Sequence, residues 1–363
     1  MKKTIYLLIL LLSHQTISCQ KKLISGKIID NITQKGIYNV HVYSAKLGEG
    51  TITNADGNFY LIVTNNDNLH FSCVGFEKQS IQLSDNDTGN LVIKMNQKIE
   101  SLDEIVVSTK TLTANEILNK VFDNFEKNHY VEPVYYNFYN RVINYKKDST
   151  LQSIEEYAGT IKQNRAHFTK YNIEKGRIKY VTKDSVQQLK KHRVVAMDKM
   201  YTDNIYKYRE DYLKKKGLKK YTYKVIGRTN FLDRNCYEIS FYTDKSTYYK
   251  KGILYIDMQD FAIIRKILLD NDNEILNDIT FKKENDKWYL KKAEDFHTGY
   301  YTPNLTEKRI TLYNFKTIEN NNLNFIKLTS GDFSTQFTSD FNDKYWENKN
   351  FIPLPNWIKE QLY

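Results

Sequence analysis

From residue 38 onward, apolar side chains recur at every second position in short runs. Tyr38, Val40 and Val42 alternate with Asn39, His41 and Tyr43. Phe59, Leu61 and Val63 repeat the pattern, as do Leu69, Phe71 and Cys73, then Ile81 and Leu83, then Leu91, Ile93 and Met95. Period two puts one set of side chains on a single face of a strand. The turn-forming stretches Asn65-Asn66-Asp67-Asn68 and Ser84-Asp85-Asn86-Asp87 separate the runs. Short strands at this spacing predict a β-sandwich from about Leu23 to Met95. Between two of the runs lies Asn54-Ala55-Asp56-Gly57-Asn58, whose Asp-Gly pair predicts a β-hairpin with Gly57 at positive φ.

The period then changes. Thr113-Ala114-Asn115-Glu116 reads as a capping box, and Ile117, Leu118, Val121, Phe122 and Phe125 follow at helical spacing to about Asn128. A Tyr-rich strand from Tyr135 to Tyr145 comes next. Tyr201, Ile205, Tyr208 and Tyr212 recur every three or four residues and predict a second helix over about Ala196–Lys216. After Tyr221 the chain reads as strands again: Tyr237, Ile239 and Phe241, then Gly252–Asp257, Ala262–Leu269, Trp288–Leu290 and Ile310–Tyr313. The expectation is one α+β domain over 112–363, built on a large antiparallel sheet.

Several of the first residues form a recognisable set. Gly26, Ile28 and Asp30 open it, Val40 and Val42 lie in its second strand, and Gly50-Thr51 precedes Asp56-Gly57-Asn58-Phe59. Val74-Gly75-Phe76 follows Phe71-Ser72, and Leu102-Asp103-Glu104-Ile105-Val106-Val107 closes it. This pattern resembles the carboxypeptidase regulatory-like domain, a transthyretin-like sandwich common in envelope proteins of Gram-negative bacteria. The resemblance covers residues 23–107. The closing segment is similar to that of TonB-dependent nutrient receptors, but the chain has no room for their plug and barrel, so it resembles the barrel-free proteins carrying the module. Gly252 to Ile263 and Trp288-Tyr289-Leu290 are similar to uncharacterised domains paired with the module. Strand order and the phrase Leu254-Tyr255-Ile256-Asp257 are, more loosely, similar to half-barrels of the lipoprotein-carrier type.

The amino terminus alters the picture of where the protein works. Lys2 and Lys3 precede an unbroken apolar run, Ile5 to Leu12, with small residues near Ser18. That is the layout of an export signal over residues 1–18, and the run is too short for a permanent span of about 20 residues. Cys19 follows Ser18 and is the candidate for lipidation, although Thr16 stands where a lipoprotein signal carries an aliphatic residue. Ordinary cleavage beside Ser18 or Cys19 is the alternative. The expected location is the periplasm or the outer membrane, with no transmembrane helix in the mature chain.

Composition is that of a packed globular protein rich in sheet-forming aromatics, with 29 Tyr and 18 Phe. The formal net charge is +11, lowered by two when Lys2 and Lys3 are removed. Export makes nucleic acid an unexpected partner; anionic lipid or a merely solvated basic surface accounts for the charge. Lys214-Lys215-Lys216 and Lys219-Lys220 would end the second helix, where cations complement its dipole.

Candidate chemistry is sparse. His129-Tyr130-Val131-Glu132 has the His-x-x-Glu spacing of zinc carboxypeptidases, with His297 as a nominal third ligand. The β-rich surroundings do not match such an enzyme, and His129 reads better as a helix-ending residue. Asn54–Asn58 lacks the acidic ligands of a calcium loop, and Asp270-Asn271-Asp272-Asn273-Glu274 reads as a solvated turn. Cys73 and Cys236 fall in different domains and read as small buried residues, with a disulfide as the alternative. There is no nucleophile elbow or phosphate loop, and His41, His70, His167 and His192 are isolated. No catalytic, cofactor or metal residue is nominated. The sequence therefore points to a mainly β, non-catalytic envelope binding or assembly protein, its partners being envelope proteins or outer-membrane lipid. In one version the second domain holds an apolar ligand. An exported peptide or glycan hydrolase, or a glycan-binding accessory to nutrient uptake, is the alternative.

Overall fold

The computed structural model describes residues 21–73, 75–84, 90–98, 112–129, 133–163, 170–181, 210–231, 234–245, 251–298, 304–316, 323–325, 341, 343–346 and 351–362. The signal segment, Cys19, Val74, Leu102–Val107, Tyr130–Glu132, His167, His192 and most of the expected second helix lie outside them.

The chain forms two compact units. One comprises 1–99 and 344–355, the other 100–343 and 356–363. Residues 344–355, expected in the second domain, thus belong with the first.

The first unit contains β1 (Lys21–Asp30), β2 (His41–Ser44), β3 (Gly50–Ile52), β4 (Asn58–Thr64), β5 (Asn68–Ser72), β6 (Gln79–Gln82) and β7 (Asn90–Met95). They form two sheets, ordered β4-β1-β7 and β3-β2-β5-β6. The alternation seen in the sequence is the inward face of each sheet. Ile24, Ile28, Val40, Val42, Phe59, Leu61, Val63, Leu69, Phe71 and Met95 share one buried core.

The hairpin expectation is corrected here. β3 and β4 belong to different sheets, so the Asp-Gly turn is a corner crossing from one layer of the sandwich to the other. The local chemistry was right and the pairing was not. Gly57 has φ +80, and a Cβ there would stand 2.3 Å from the Ile28 carbonyl oxygen. Asn54 Oδ1 accepts from the N–H groups of Asp56 (3.0 Å) and Asn58 (2.9 Å), turning the chain through its side chain. The Ile28 N–H bonds the Gly57 carbonyl at 2.8 Å, which draws the turn onto β1.

The second unit opens with helix α1 (Ala114–Asp123), capped as expected. The Thr113 hydroxyl accepts from the Glu116 N–H, and Glu116 accepts from the Thr113 N–H. A break at Asn124 separates α1 from α2 (Phe125–Asn128). The strands β8 (Val134–Lys146), β9 (Leu151–Gln163), β10 (Lys170–Tyr180), β11 (Thr222–Phe231), β12 (Arg234–Tyr242), β13 (Lys251–Asp257), β14 (Ile263–Leu269), β15 (Ile275–Glu284), β16 (Lys287–Thr298) and β17 (Leu305–Lys316) form one antiparallel sheet. Its order is β10-β9-β8-β17-β16-β15-β14-β13-β12-β11. Helix α3 (Asn356–Leu362) ends the chain.

The described part of the expected second helix is different in kind. Asp211–Leu213 and Lys215–Lys219 are 3-10 turns, so the lysine run does not end an α-helix. Gly217 breaks the run, approaching the Asp211 carbonyl so closely that a Cβ would lie 2.0 Å from it. Lys215 pairs with Asp123, and Lys216 and Lys220 with Asp211. Tyr212 is buried and stacks on Phe241 with ring centroids 4.5 Å apart.

Candidate functional site

Register across the ten-stranded sheet sorts its side chains onto two faces. Arg177, Glu156, Arg141, Ile310, Glu294 and Asp278 stand opposite one another in one row, from β10 to β15. Tyr139, Leu312, Lys292, Thr280, Arg265 and Tyr255 form the neighbouring row on the same face. Charged residues therefore stand on one face of the sheet among Ile310, Leu312 and Thr280, where a sheet ordinarily carries aliphatic ones.

Their geometry is that of a ladder of ion pairs. Glu156, wholly buried, binds Arg141 Nε at 2.8 Å and Arg177 Nε at 2.5 Å, and accepts from the Tyr139 hydroxyl. Arg177 also donates to the Phe341 carbonyl at 2.8 Å, with the Phe341 ring 4.6 Å from its guanidinium carbon. Farther along, Arg265 grips Asp278 with two bonds of 2.9 and 3.0 Å. Lys292, 0% exposed, reaches Asp278 at 3.0 Å and Glu294 at 3.3 Å, and Lys308 reaches Glu294 at 2.8 Å.

These pairings fix the protonation states. Burial works to raise the Glu156 and Asp278 carboxyls, but the cations beside them outweigh it: Arg141 and Arg177 for Glu156, Lys292 and Arg265 for Asp278. Both stay below their ordinary values and are ionised at neutral pH. The Tyr139 phenol moves the other way, driven up by burial above all, and remains a proton donor.

The opposite face carries the apolar packing. Ile239, Leu254, Ile279, Phe241 and Phe281 are buried there. A smaller polar inlay interrupts it, where Arg309 pairs with Asp295 and Asn277 donates to Asp295 at 2.6 Å. Burial opposes ionisation of Asp295, and Arg309 overcomes it, so its carboxyl is also lowered.

The residues singled out in the sequence take structural places. His129 follows α2, its N–H bonding the Phe125 carbonyl at 3.0 Å. Its ring lies 4.7 Å from that of Phe125 and 5.6 Å from that of Phe281. His297 lies in β16 opposite Glu307. Among the described residues, no group of three or more His, Cys, Asp or Glu side chains could hold a metal. In the acidic turn, Asp270 Oδ1 accepts from the Asp272 and Glu274 N–H groups. The Lys251 ammonium sits on the Asn271 carbonyl and Asn273 Oδ1, where a cation would bind. Cys73 and Cys236 are both free thiols. Among the described residues, no helix is long and apolar enough to cross a membrane.

Two features escaped the sequence reading. The ladder was missed because β9 and β10 were not predicted: Glu155 and Glu156 interrupt any apolar alternation. The motif Leu254-Tyr255-Ile256-Asp257 ends in a hub whose role was also not foreseen. Asp257 takes Arg234 at 2.6 Å and 2.9 Å and the N–H groups of Gln259 and Asp260. Asp260 in turn binds Arg234, Lys283 and the Trp288 indole N–H. An Asp closing a strand before a Met-Gln-Asp turn was the available signal.

Among curated proteins, none matches the chain. Among solved structures, a LolA superfamily protein from Nitrosomonas europaea is 12% identical over 56% of this chain and 92% of its own, with a TM-score of 0.29. A putative outer membrane lipoprotein-sorting protein domain from Vibrio parahaemolyticus is 13% identical over 58% and 97%, with a TM-score of 0.28. A DUF1329 family protein from Desulfovibrio piger is 8% identical over 56% and 92%, at 0.29. At these scores the likeness carries no functional argument. The family match is of a different quality: residues 24–107 fit the CarboxypepD_reg-like domain, and that stretch of the chain is a carboxypeptidase regulatory-like domain.

Proposed function

We propose that this chain is an exported, non-catalytic binding or assembly protein of the cell envelope. In this reading residues 1–18 are its export signal, 23–107 its regulatory-like module, and the second unit, 112–343 with 356–363, the domain that meets its partner. Cys19 is the candidate membrane anchor. The observation that carries the proposal is the ion-pair ladder. Its carboxylates at Glu156 and Asp278 are buried, ionised and each satisfied by two cations, so they hold the sheet in shape and do not turn over a substrate. The ladder also bears on the ligand. The ladder's charged side chains are already buried and paired with one another, so that face has little exposed apolar surface to offer an acyl chain. An envelope protein is therefore the favoured partner over a lipid.

The test is purification of the full-length protein from cross-linked envelopes of its own host. A stoichiometric protein partner is the expected result. Lipid recovered at one or more molecules per chain, with no protein partner, would overturn the choice of partner. Hydrolysis of a peptide or glycan substrate that disappears in Glu156→Gln would overturn the non-catalytic reading itself.

A further inference from the structure

The turn at residues 54–58 carries more than the fold. Asn54 is 2% exposed and uses its whole side chain. While Oδ1 accepts from Asp56 and Asn58 within the turn, Nδ2 points away and donates to two successive carbonyls of the carboxy-terminal segment, Leu354 at 3.2 Å and Pro353 at 3.4 Å. These partners are about 300 residues away in sequence and belong to the same compact unit.

The segment is chemically suited to be read in this way. In Ile352-Pro353-Leu354-Pro355 every residue is either a proline or the residue before one. Proline fixes φ near −65°, and the residue preceding it is pushed to extended conformations. The stretch forms neither helix nor strand. Such a chain is stiff before it binds, its carbonyls are available, and the prolines bring no N–H of their own to satisfy. A side-chain amide with two hydrogens is the complementary reader.

The sheet beside Asn54 shows the matching surface. Val42 pairs with Thr51 and points into the core, so His41 and Ile52, which pair with each other, point outward. Yet Ile52 is 2% exposed and His41 is also buried. Ile52 stands apart from the core cluster, so an outward face of an edge strand is covered. Ile352, Pro353 and Trp346 of the tail are buried as well, and Trp346 packs on Phe351 with centroids 5.5 Å apart.

We propose that the regulatory-like domain carries a peptide-binding site, formed by Asn54 with the outward face of β2 and β3, for an extended proline-bearing segment, and that residues 351–355 of this same chain occupy it. Recognition is of backbone carbonyls by Asn54, with Ile352 as the apolar anchor. The mode is that of grooves that read stiff, proline-rich peptides. Because the ligand is tethered, its local concentration is of millimolar order, and occupancy is the resting state.

The test uses the full-length protein and hydrogen exchange read by mass spectrometry. Asn54→Asp keeps an acceptor for Asp56 and Asn58 but removes both donors. Residues 344–355 should then exchange at least tenfold faster while β2 to β5 keep their protection. A second variant, Ile352→Asp, loosens the resident tail without touching the turn. It should bind a synthetic peptide of residues 344–355 saturably, and the Asn54→Asp/Ile352→Asp protein should not. Unchanged tail exchange in a folded Asn54→Asp protein overturns the proposal. So does failure of the Ile352→Asp protein to bind the peptide, which decides the matter even if Asn54→Asp unfolds the module.

Discussion

Replacing Glu156 by Leu tests whether the ladder is a set of matched buried charges. Glu156 is fully buried between Arg141, 3% exposed, and Arg177, and also accepts from Tyr139. The substitution takes one carboxylate from two guanidiniums and a phenol at once. Breaking a buried pair by removing one partner costs about 3–5 kcal/mol, because the other charge stays desolvated. For a unit of this size each kcal/mol is worth about 2–4 °C, so the transition of the larger unit should fall by about 6–20 °C. Thermal unfolding at pH 7.5, followed by near-ultraviolet circular dichroism, reads that shift. The second half of the prediction separates a matched network from ordinary packing. Removing all three charges together, as Glu156→Leu with Arg141→Met and Arg177→Met, should restore most of the loss, since apolar replacement of a whole buried triad is neutral or stabilising by about 1–4 kcal/mol. A single variant that melts with the wild type would refute the pairing. A triple variant at least as unstable as the single would refute the view that desolvation dominates the cost.

In the first unit, Asp67 is buried; burial works to raise its carboxyl, but bonds from the Ser44 hydroxyl and from the N–H groups of Lys46, Thr64 and Asn68 outweigh it, so its value is lowered. Its contribution to stability should be complete above the unfolded carboxylate value of about 4 and be lost as pH falls through the lower folded value, and Asp67→Asn should flatten that part of a urea-unfolding profile from pH 6 to pH 2. Gly57→Ala should cost at least about 1–2 kcal/mol from the left-handed backbone alone, and more because the three nearest neighbours of the new Cβ, the Ile28 carbonyl oxygen, Gly36 Cα and the Ile37 nitrogen, are all backbone atoms; a denaturant midpoint equal to wild type would show that the corner is not built this way. Burial pushes the Cys236 thiol up to about 12, so peptide mapping after iodoacetamide treatment at pH 8 should find it unmodified in the folded protein and modified in urea.

How much of this was legible in the sequence depended on whether a strand buries one face or two. β4 and β5 each bury one face, so Phe59, Leu61 and Val63, or Leu69 and Phe71, announce themselves by alternation. The capping box at Thr113 is equally local and was read correctly, down to the reciprocal Glu116 contact. β9 is buried along nearly its whole length, with Ser153, Glu155, Glu156 and Thr160 inside. A strand covered on both faces loses its period-two signal, and its glutamates read as surface. Their partners Arg141 and Arg177 are 15 and 21 residues away and meet Glu156 only through register, which no local pattern encodes. The Asp-Gly turn failed differently. Its backbone demands were read correctly, but whether the strands beyond it pair or part depends on the sheet each one joins.

The same distinction explains what the buried charges can contribute. A sheet of ten strands could slip in register at many places, and an apolar face tolerates a shift of two residues, since one aliphatic side chain replaces another. The ladder does not. Moving β9 by two residues along β8 would set Ile154 or Ala158 opposite Arg141 in place of Glu156, and would leave Arg177 facing an aliphatic side chain as well. Each wrong register then carries two desolvated cations and a desolvated carboxylate, whereas the native one satisfies all three. Asp278 does the same for β14, β15 and β16 through Arg265 and Lys292. Charges that add little net stability in the correct register therefore make incorrect ones costly. That cost falls on long strands buried along much of their length, such as β9, whose hydrophobic pattern specifies alignment least.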